Sequence, residues 1–162
     1  MSLRPALKPS RLRRFARSER GTQLVELAIV LPLLLVMFGA VAEFGRFFYT
    51  YQTLTKATRA GARYLTTELA SGAADADAAE LVVYGNTTGA GDPILEGLDV
   101  SNVDVTREGP NPAQPELVTV TINGYTYEPL FDLGALVGSP SLSLNVELNP
   151  STTMRVLSTI PS

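Results

Sequence analysis

The chain has 162 residues and a formal net charge of −3, a length that accommodates one domain plus a membrane segment or tail. With 45% apolar and 18% charged residues, wholesale disorder is excluded. Cys and His are both absent, which removes a disulfide framework, Cys nucleophiles, His-based triads and the common zinc and haem ligand sets.

The mean charge hides an asymmetry. Residues 1–20 carry Arg4, Lys8, Arg11, Arg13, Arg14, Arg17 and Arg20 against a single acid, Glu19. From residue 64 onward only Arg107 and Arg155 oppose a long series of acids. Between this basic head and acidic body lies LAIVLPLLLVMFGAVA, Leu27 to Ala42, which has no charge. Extended back to Thr22, the stretch is interrupted only by Glu26. A helix crossing a bilayer needs roughly 17–25 apolar residues, so 22–42 is sufficient. Arg and Lys immediately before it keep the head in the cytoplasm and send the acidic body across. Pro32 removes one helical hydrogen bond and predicts a bend or local unwinding.

Two kinds of processing fit this segment. Ala40-Val41-Ala42 before Glu43 has the small-x-small form of a signal-peptidase site, which would release a soluble chain starting at Glu43. The other places cleavage on the cytoplasmic side, at Arg20-Gly21-Thr22-Gln23-Leu24-Val25-Glu26-Leu27. An ionisable group inside a membrane segment is costly and marks function, which draws attention to Glu26. One reading solvates Glu26 at the headgroups. The other pairs it with an ammonium of another subunit, which offsets the desolvation cost and sets axial register.

GTQLVELAIVLPLLL resembles the processing region of type IV prepilins, and more closely that of TadE-like pseudopilins of tight-adherence (Flp) pilus systems. AVAEFGRFFYTYQTLTKATRAGARYL extends the likeness, and Thr153-Met154-Arg155 is a weaker echo. The resemblance implies that a prepilin peptidase cuts after Gly21, that Thr22 becomes the new N-terminus, and that Glu26 pairs with the terminal amine of a neighbouring subunit. It also implies other pilin or pseudopilin subunits and an inner-membrane assembly platform as partners, together with membrane lipid. Flp-type motifs usually place an aromatic after the Glu, where this chain has Leu27. That departure, and a body of more than a hundred residues, point to a minor pseudopilin and away from a major Flp pilin.

Beyond Ala42, apolar positions Phe44, Phe47, Phe48, Tyr51, Leu54, Thr58, Ala62, Leu65 and Leu69 recur at steps of three or four. Glu43, Arg46, Thr50, Thr53, Lys56, Arg59 and Arg63 fall largely on the other side. The spacing predicts an amphipathic helix that continues the membrane helix to about Ala70, roughly 73 Å in all at 1.5 Å per residue. An uninterrupted helical pattern across Ala42 favours retention in the membrane over release. Aromatics at 44–51 suit a membrane–water border. Gly39, Gly45 and Gly61 are candidates for close helix approach.

In the acidic body, Asp77 with Glu80 predicts a capped helix start and Gly85 its stop. Period-two patterns predict strands at Val103–Thr106, Val118–Asn123 and Leu142–Leu148, with an edge strand after Asn149. The loop Gly109–Pro115 joins the first two, and a short helix is expected near Leu130 to Val137 in the connection Tyr125–Pro140. The expected class is α+β: a long N-terminal helix packed on a small antiparallel sheet. The expected divisions are 1–21, a basic cytoplasmic leader; 22–42, a transmembrane helix; 43–70, an extracytoplasmic amphipathic helix; and 71–162, a small α+β domain.

No catalytic constellation, metal site or cofactor motif emerges, and an enzyme is not expected. The basic head is explained by membrane topology and not by nucleic acid. Asn86-Thr87-Thr88 matches a glycosylation sequon, a pattern common by chance. The leading expectation is a minor pseudopilin of the bacterial inner membrane, single-pass, with its N-terminus cytoplasmic. The alternatives are a secreted binding domain released after Ala42 and an uncleaved membrane-anchored assembly scaffold.

Overall fold

The computed structural model describes residues 19–110, 115–132, 134–135, 138–139, 141 and 143–157, with side chains from Gly21 onward. The Arg-rich head at 1–18, the loop positions 111–114 and Leu142 therefore lie outside the described residues. The architecture is α+β, and the chain divides into two compact units that meet in sequence at Ala42 and Glu43.

Helix α1 spans Glu19–Leu65 and contributes to both units. It runs through Pro32 without a break, so of the bend or local unwinding expected there the unwinding does not occur; the helix tolerates the loss of one hydrogen bond. In the first unit the side chains of Leu24, Ile29, Leu33, Met37, Phe38 and Val41 are all exposed. Such exposed apolar side chains suit contact with lipid or with other helices. It is long and apolar enough to cross a membrane, and it fits a single-pass membrane protein.

In the second unit α1 becomes one-sided. Its buried positions are Glu43, Thr50, Leu54, Ala57, Thr58, Gly61, Ala62 and Leu65, with Phe47 packed against the core. The expected stripe is thus correct from Leu54 to Leu65 and rotated before it. Phe44, Phe48 and Tyr51 are exposed, whereas Glu43 and Thr50, expected on the polar side, are buried. The helix stops at Leu65, short of the expected Ala70. Thr66 and Thr67 turn their hydroxyls back onto the carbonyls of Arg63 and Tyr64 at 2.7 and 3.1 Å, which satisfies the helix end locally. Leu69 is consequently exposed in the linker.

Helix α2, Gly72–Tyr84, begins earlier than the Asp77–Glu80 pattern suggested. Ser71 is its N-cap and accepts the Ala74 amide at 3.2 Å. Asp77 instead accepts a hydrogen bond from the Tyr64 hydroxyl at 3.2 Å. Gly85 ends the helix as expected, in the left-handed conformation at φ 72°, with its amide donating to the Leu81 carbonyl. Ala74, Ala78, Val82 and Val83 face the core. Gly61 of α1 lies against this helix, where an added Cβ would stand 2.6 Å from Val82 Cγ2. The same atom at Gly39 or Gly45 would meet nothing within 4 Å. Of Gly39, Gly45 and Gly61, only Gly61 makes a close approach among the described residues.

Strands β1 (Val103–Glu108), β2 (Leu117–Ile122) and β5 (Ser151–Arg155) form an antiparallel sheet in the order β1-β2-β5. Strands β3 (Tyr125–Tyr127) and β4 (Val146–Leu148) pair separately. The strand expected over 142–148 is confined to β4. Of the short helix expected near 130–137, Gly134 and Ala135 are helical, while 133, 136 and 137 lie outside the described residues.

Register links the two sheets. Thr121 pairs with Ser151, and Tyr125 pairs with Leu148. Four residues on one strand therefore match three on the other, a one-residue insertion of the β-bulge kind. Gly124, at φ 72°, accommodates the kink. Val118, Val120 and Ile122 face the core at even positions; the insertion lets Tyr125 and Tyr127 face it at odd ones. On the outer face, Thr119 with Thr153 and Thr121 with Ser151 form cross-strand hydroxyl pairs at 2.8 and 2.9 Å. On the inner side, the Thr152 and Thr58 hydroxyls are 3.0 Å apart and tie β5 to α1. Arg107 of β1 forms an ion pair with Asp75 of α2.

The Gly61 contact yields a contrast measurable by thermal melting of the full chain in detergent. Gly61→Ala is expected to destabilise by about 1–3 kcal/mol, because stiff Val82 and the α2 backbone must shift. Gly45→Ala is expected to be neutral or to stabilise by up to about 1 kcal/mol through helix propensity.

Candidate functional site

The residues singled out for processing and register sit in the first turns of α1. Gly21 and Thr22 both lie within the helix, and Glu26 is exposed one turn beyond Thr22. Their i,i+4 spacing places Thr22 and Glu26 on one face. The neighbours Leu24, Val25, Leu27 and Ile29 are exposed too, so Glu26 is an isolated acid on an apolar surface. Neither ion pair among the described residues involves it.

A second acid of the same helix behaves oppositely. Glu43, one residue after the uncharged stretch, is 1% exposed and lies in the second unit. Its Oε1 accepts the Tyr127 hydroxyl at 2.5 Å and the Leu130 amide at 3.1 Å, and Oε2 accepts the Phe131 amide at 3.3 Å. The Arg46 guanidinium, one turn along α1, is 3.9 Å from Oε1. Arg46 also lies 5.9 Å from the centre of the Tyr127 ring, and Phe47 meets that ring edge-on at 5.4 Å. One carboxylate thus joins α1, β3 and the start of the β3–β4 connection.

The chemistry of this cluster is structural. A buried carboxylate is tolerated when its lone pairs are filled by donors, and those donors would be left bare without it. Tyr127 carries the electrostatic signature. Its hydroxyl is pushed from 10.0 up to about 12, first by burial, then by the hydrogen bond and charge of Glu43, with Arg46 acting in the opposite direction. Tyr125 is also raised, chiefly by burial, and its hydroxyl donates to the Glu96 carbonyl at 3.3 Å. An open groove beside the cluster has Arg46, Glu96 and Glu128 as its charged lining residues. Among the described residues no group of three or more acids is gathered to hold a metal ion. The Asn86 side chain of the sequon is engaged in its own turn, bonding Tyr84, Thr88 and Ala90.

Sequence reasoning placed Glu43 on the solvated side. The available signal was the 4-3-4 spacing of Glu43, Phe47, Thr50 and Leu54, which runs beside a more apolar line through Phe44, Phe48 and Tyr51. Choosing between the two lines required knowing which face docks.

Residues 21–63 match the family model of TadE-like proteins. The match begins at Gly21, includes Glu26 and Glu43, and stops before α2 and the sheets. No curated protein and no solved structure matches the chain.

Replacing Glu43 by Ala is expected to lower stability by on the order of 3 kcal/mol, since a buried hydroxyl and two amides lose their acceptor. Glu43→Gln is expected to cost less, about 1–2 kcal/mol, because one oxygen remains. Denaturant titration in detergent would give both values. A raised Tyr127 contributes stability that is fully present below pH 10 and is lost as pH rises through about 12. Melting between those limits should therefore show a loss on the order of 2 kcal/mol, much of it absent in Tyr127→Phe.

Proposed function

We propose that this chain, whose residues 21–63 are a TadE-like segment, is a minor pseudopilin that takes part in building a tight-adherence pilus or related secretion fibre. The observation that carries this reading is the pairing, in one TadE-like helix, of an uncovered apolar half with a half that docks a folded domain. The first half is suited to lipid or to the helices of other subunits; the second holds a domain outside the membrane. The role is structural and not enzymatic.

In this reading the basic head stays cytoplasmic and the acidic domain lies across the inner membrane. A prepilin peptidase cuts between Gly21 and Thr22. That bond lies near the helix start, where opening the end is least costly. The new Thr22 ammonium and Glu26 then share a helix face. Glu26, exposed on an apolar surface, gains most by pairing with the amine of a neighbouring subunit, which sets axial register. The partners are the peptidase, other pilin or pseudopilin subunits, the assembly platform and lipid.

The meeting of the two compact units at Ala42 and Glu43 is the observation that favours release by signal peptidase. Such a cut would leave Glu43, a buried anchor of the domain, at a fraying chain end. Retention keeps that residue inside an unbroken helix.

N-terminal sequencing of the mature protein from its native host tests these readings. Thr22 is the expected first residue; Glu43 would establish release, and Met1 or Ser2 an uncut anchor. Gly21→Ala should accumulate the precursor. Glu26→Ala should be processed yet enter fibres or subunit complexes about tenfold less, corresponding to roughly 1.4 kcal/mol. Normal assembly of Glu26→Ala would remove the register role.

A further inference from the structure

We propose that the Leu130–Phe131 tip of the β3–β4 connection is a second membrane contact, seated in the lipid interface beside the point where α1 leaves the bilayer. This rests on the membrane-retained reading above. The amides of Leu130 and Phe131 are fastened to the Glu43 carboxylate at 3.1 and 3.3 Å. Glu43 directly follows Ala42, the last residue of the uncharged stretch. The tip is therefore tied to the side chain of the residue that follows the uncharged stretch.

Its side chains point away from the core. Leu130 is 71% exposed and Phe131 62%, two large apolar groups adjacent in the chain. Phe44 and Phe48, on the first turns of α1 within the same unit, are 48% and 56% exposed. Aromatic and apolar side chains of this sort are favoured at the membrane–water border. Backbone donors that reach the hydrocarbon edge of that border lose water partners and are best satisfied within the protein. Glu43 supplies acceptors for both tip amides. Pro129, immediately before Leu130, has no amide to satisfy.

The charges decide the kind of surface. Glu128 and Asp132 flank the tip, and Arg46 faces the Glu43 cluster. Two acids at the rim do not attract an anionic headgroup layer, so the contact is apolar and suited to a zwitterionic surface.

The chain has no Trp, so Phe131→Trp makes a single reporter at an exposed position. The full chain would be reconstituted into phosphatidylcholine vesicles with and without lipid brominated near the headgroup end of its acyl chains. Phe38→Trp, in the uncharged stretch, reports the membrane helix. Leu157→Trp reports the far end of the domain, where the Leu157 amide bonds the Thr66 carbonyl. The expected result is bromolipid quenching of Phe131→Trp comparable to Phe44→Trp, with Leu157→Trp unquenched. Quenching of Phe38→Trp without quenching of Phe131→Trp would overturn the proposal. If the unquenched Phe131→Trp emission were also blue-shifted, the tip would be covered by another subunit instead of lipid. Absence of quenching even for Phe38→Trp would show that the membrane-retained reading itself had failed.

Discussion

The second unit depends on a buried carboxylate. Glu43 accepts from Tyr127, Leu130 and Phe131 while carrying almost no exposed surface. Acceptors placed so deep are costly unless filled, and donors placed so deep are costly without them. The arrangement holds as a whole, and it fixes where β3 and the following connection meet α1. Further along the helix, contacts are apolar or shared between hydroxyls, as at Leu54, Thr58 with Thr152, and Gly61 against Val82.

Glu26 and Glu43 show how the same side chain takes opposite roles along one helix. Glu26 is exposed among exposed apolar residues and joins no ion pair among the described residues. Glu43 finds its partners within its own unit. In the proposed pseudopilin, the first acid addresses the assembly and the second holds the domain that the assembly carries. The family match covers both acids and ends before α2, so the domain beyond it is read from this structure alone.

The sheets add a second constraint. A one-residue insertion between β2 and β3 changes the parity of the buried positions and brings Tyr125 and Tyr127 inward. Without it, alternation would carry the Tyr127 hydroxyl away from Glu43. The kink at Asn123-Gly124 and the carboxylate on α1 are thus parts of one arrangement.

By itself the sequence determined what short-range physics controls. The uncharged stretch at 27–42, the α+β class, the stop at Gly85, the inward face of β2 and the isolated acid at position 26 follow from composition, periodicity and charge, which act within a few residues. The tertiary structure alone decided which line of α1 docks, because Phe44–Phe48–Tyr51 is the more apolar by composition and only folding supplies the donors that let Glu43 face inward beside Phe47 and Leu54. It also decided the burial of Glu43, whose donors lie more than eighty residues away. The engagement of Asp77 by the Tyr64 hydroxyl belongs with these. Each of these outcomes depends on groups brought together by folding, and no local pattern encodes such distances.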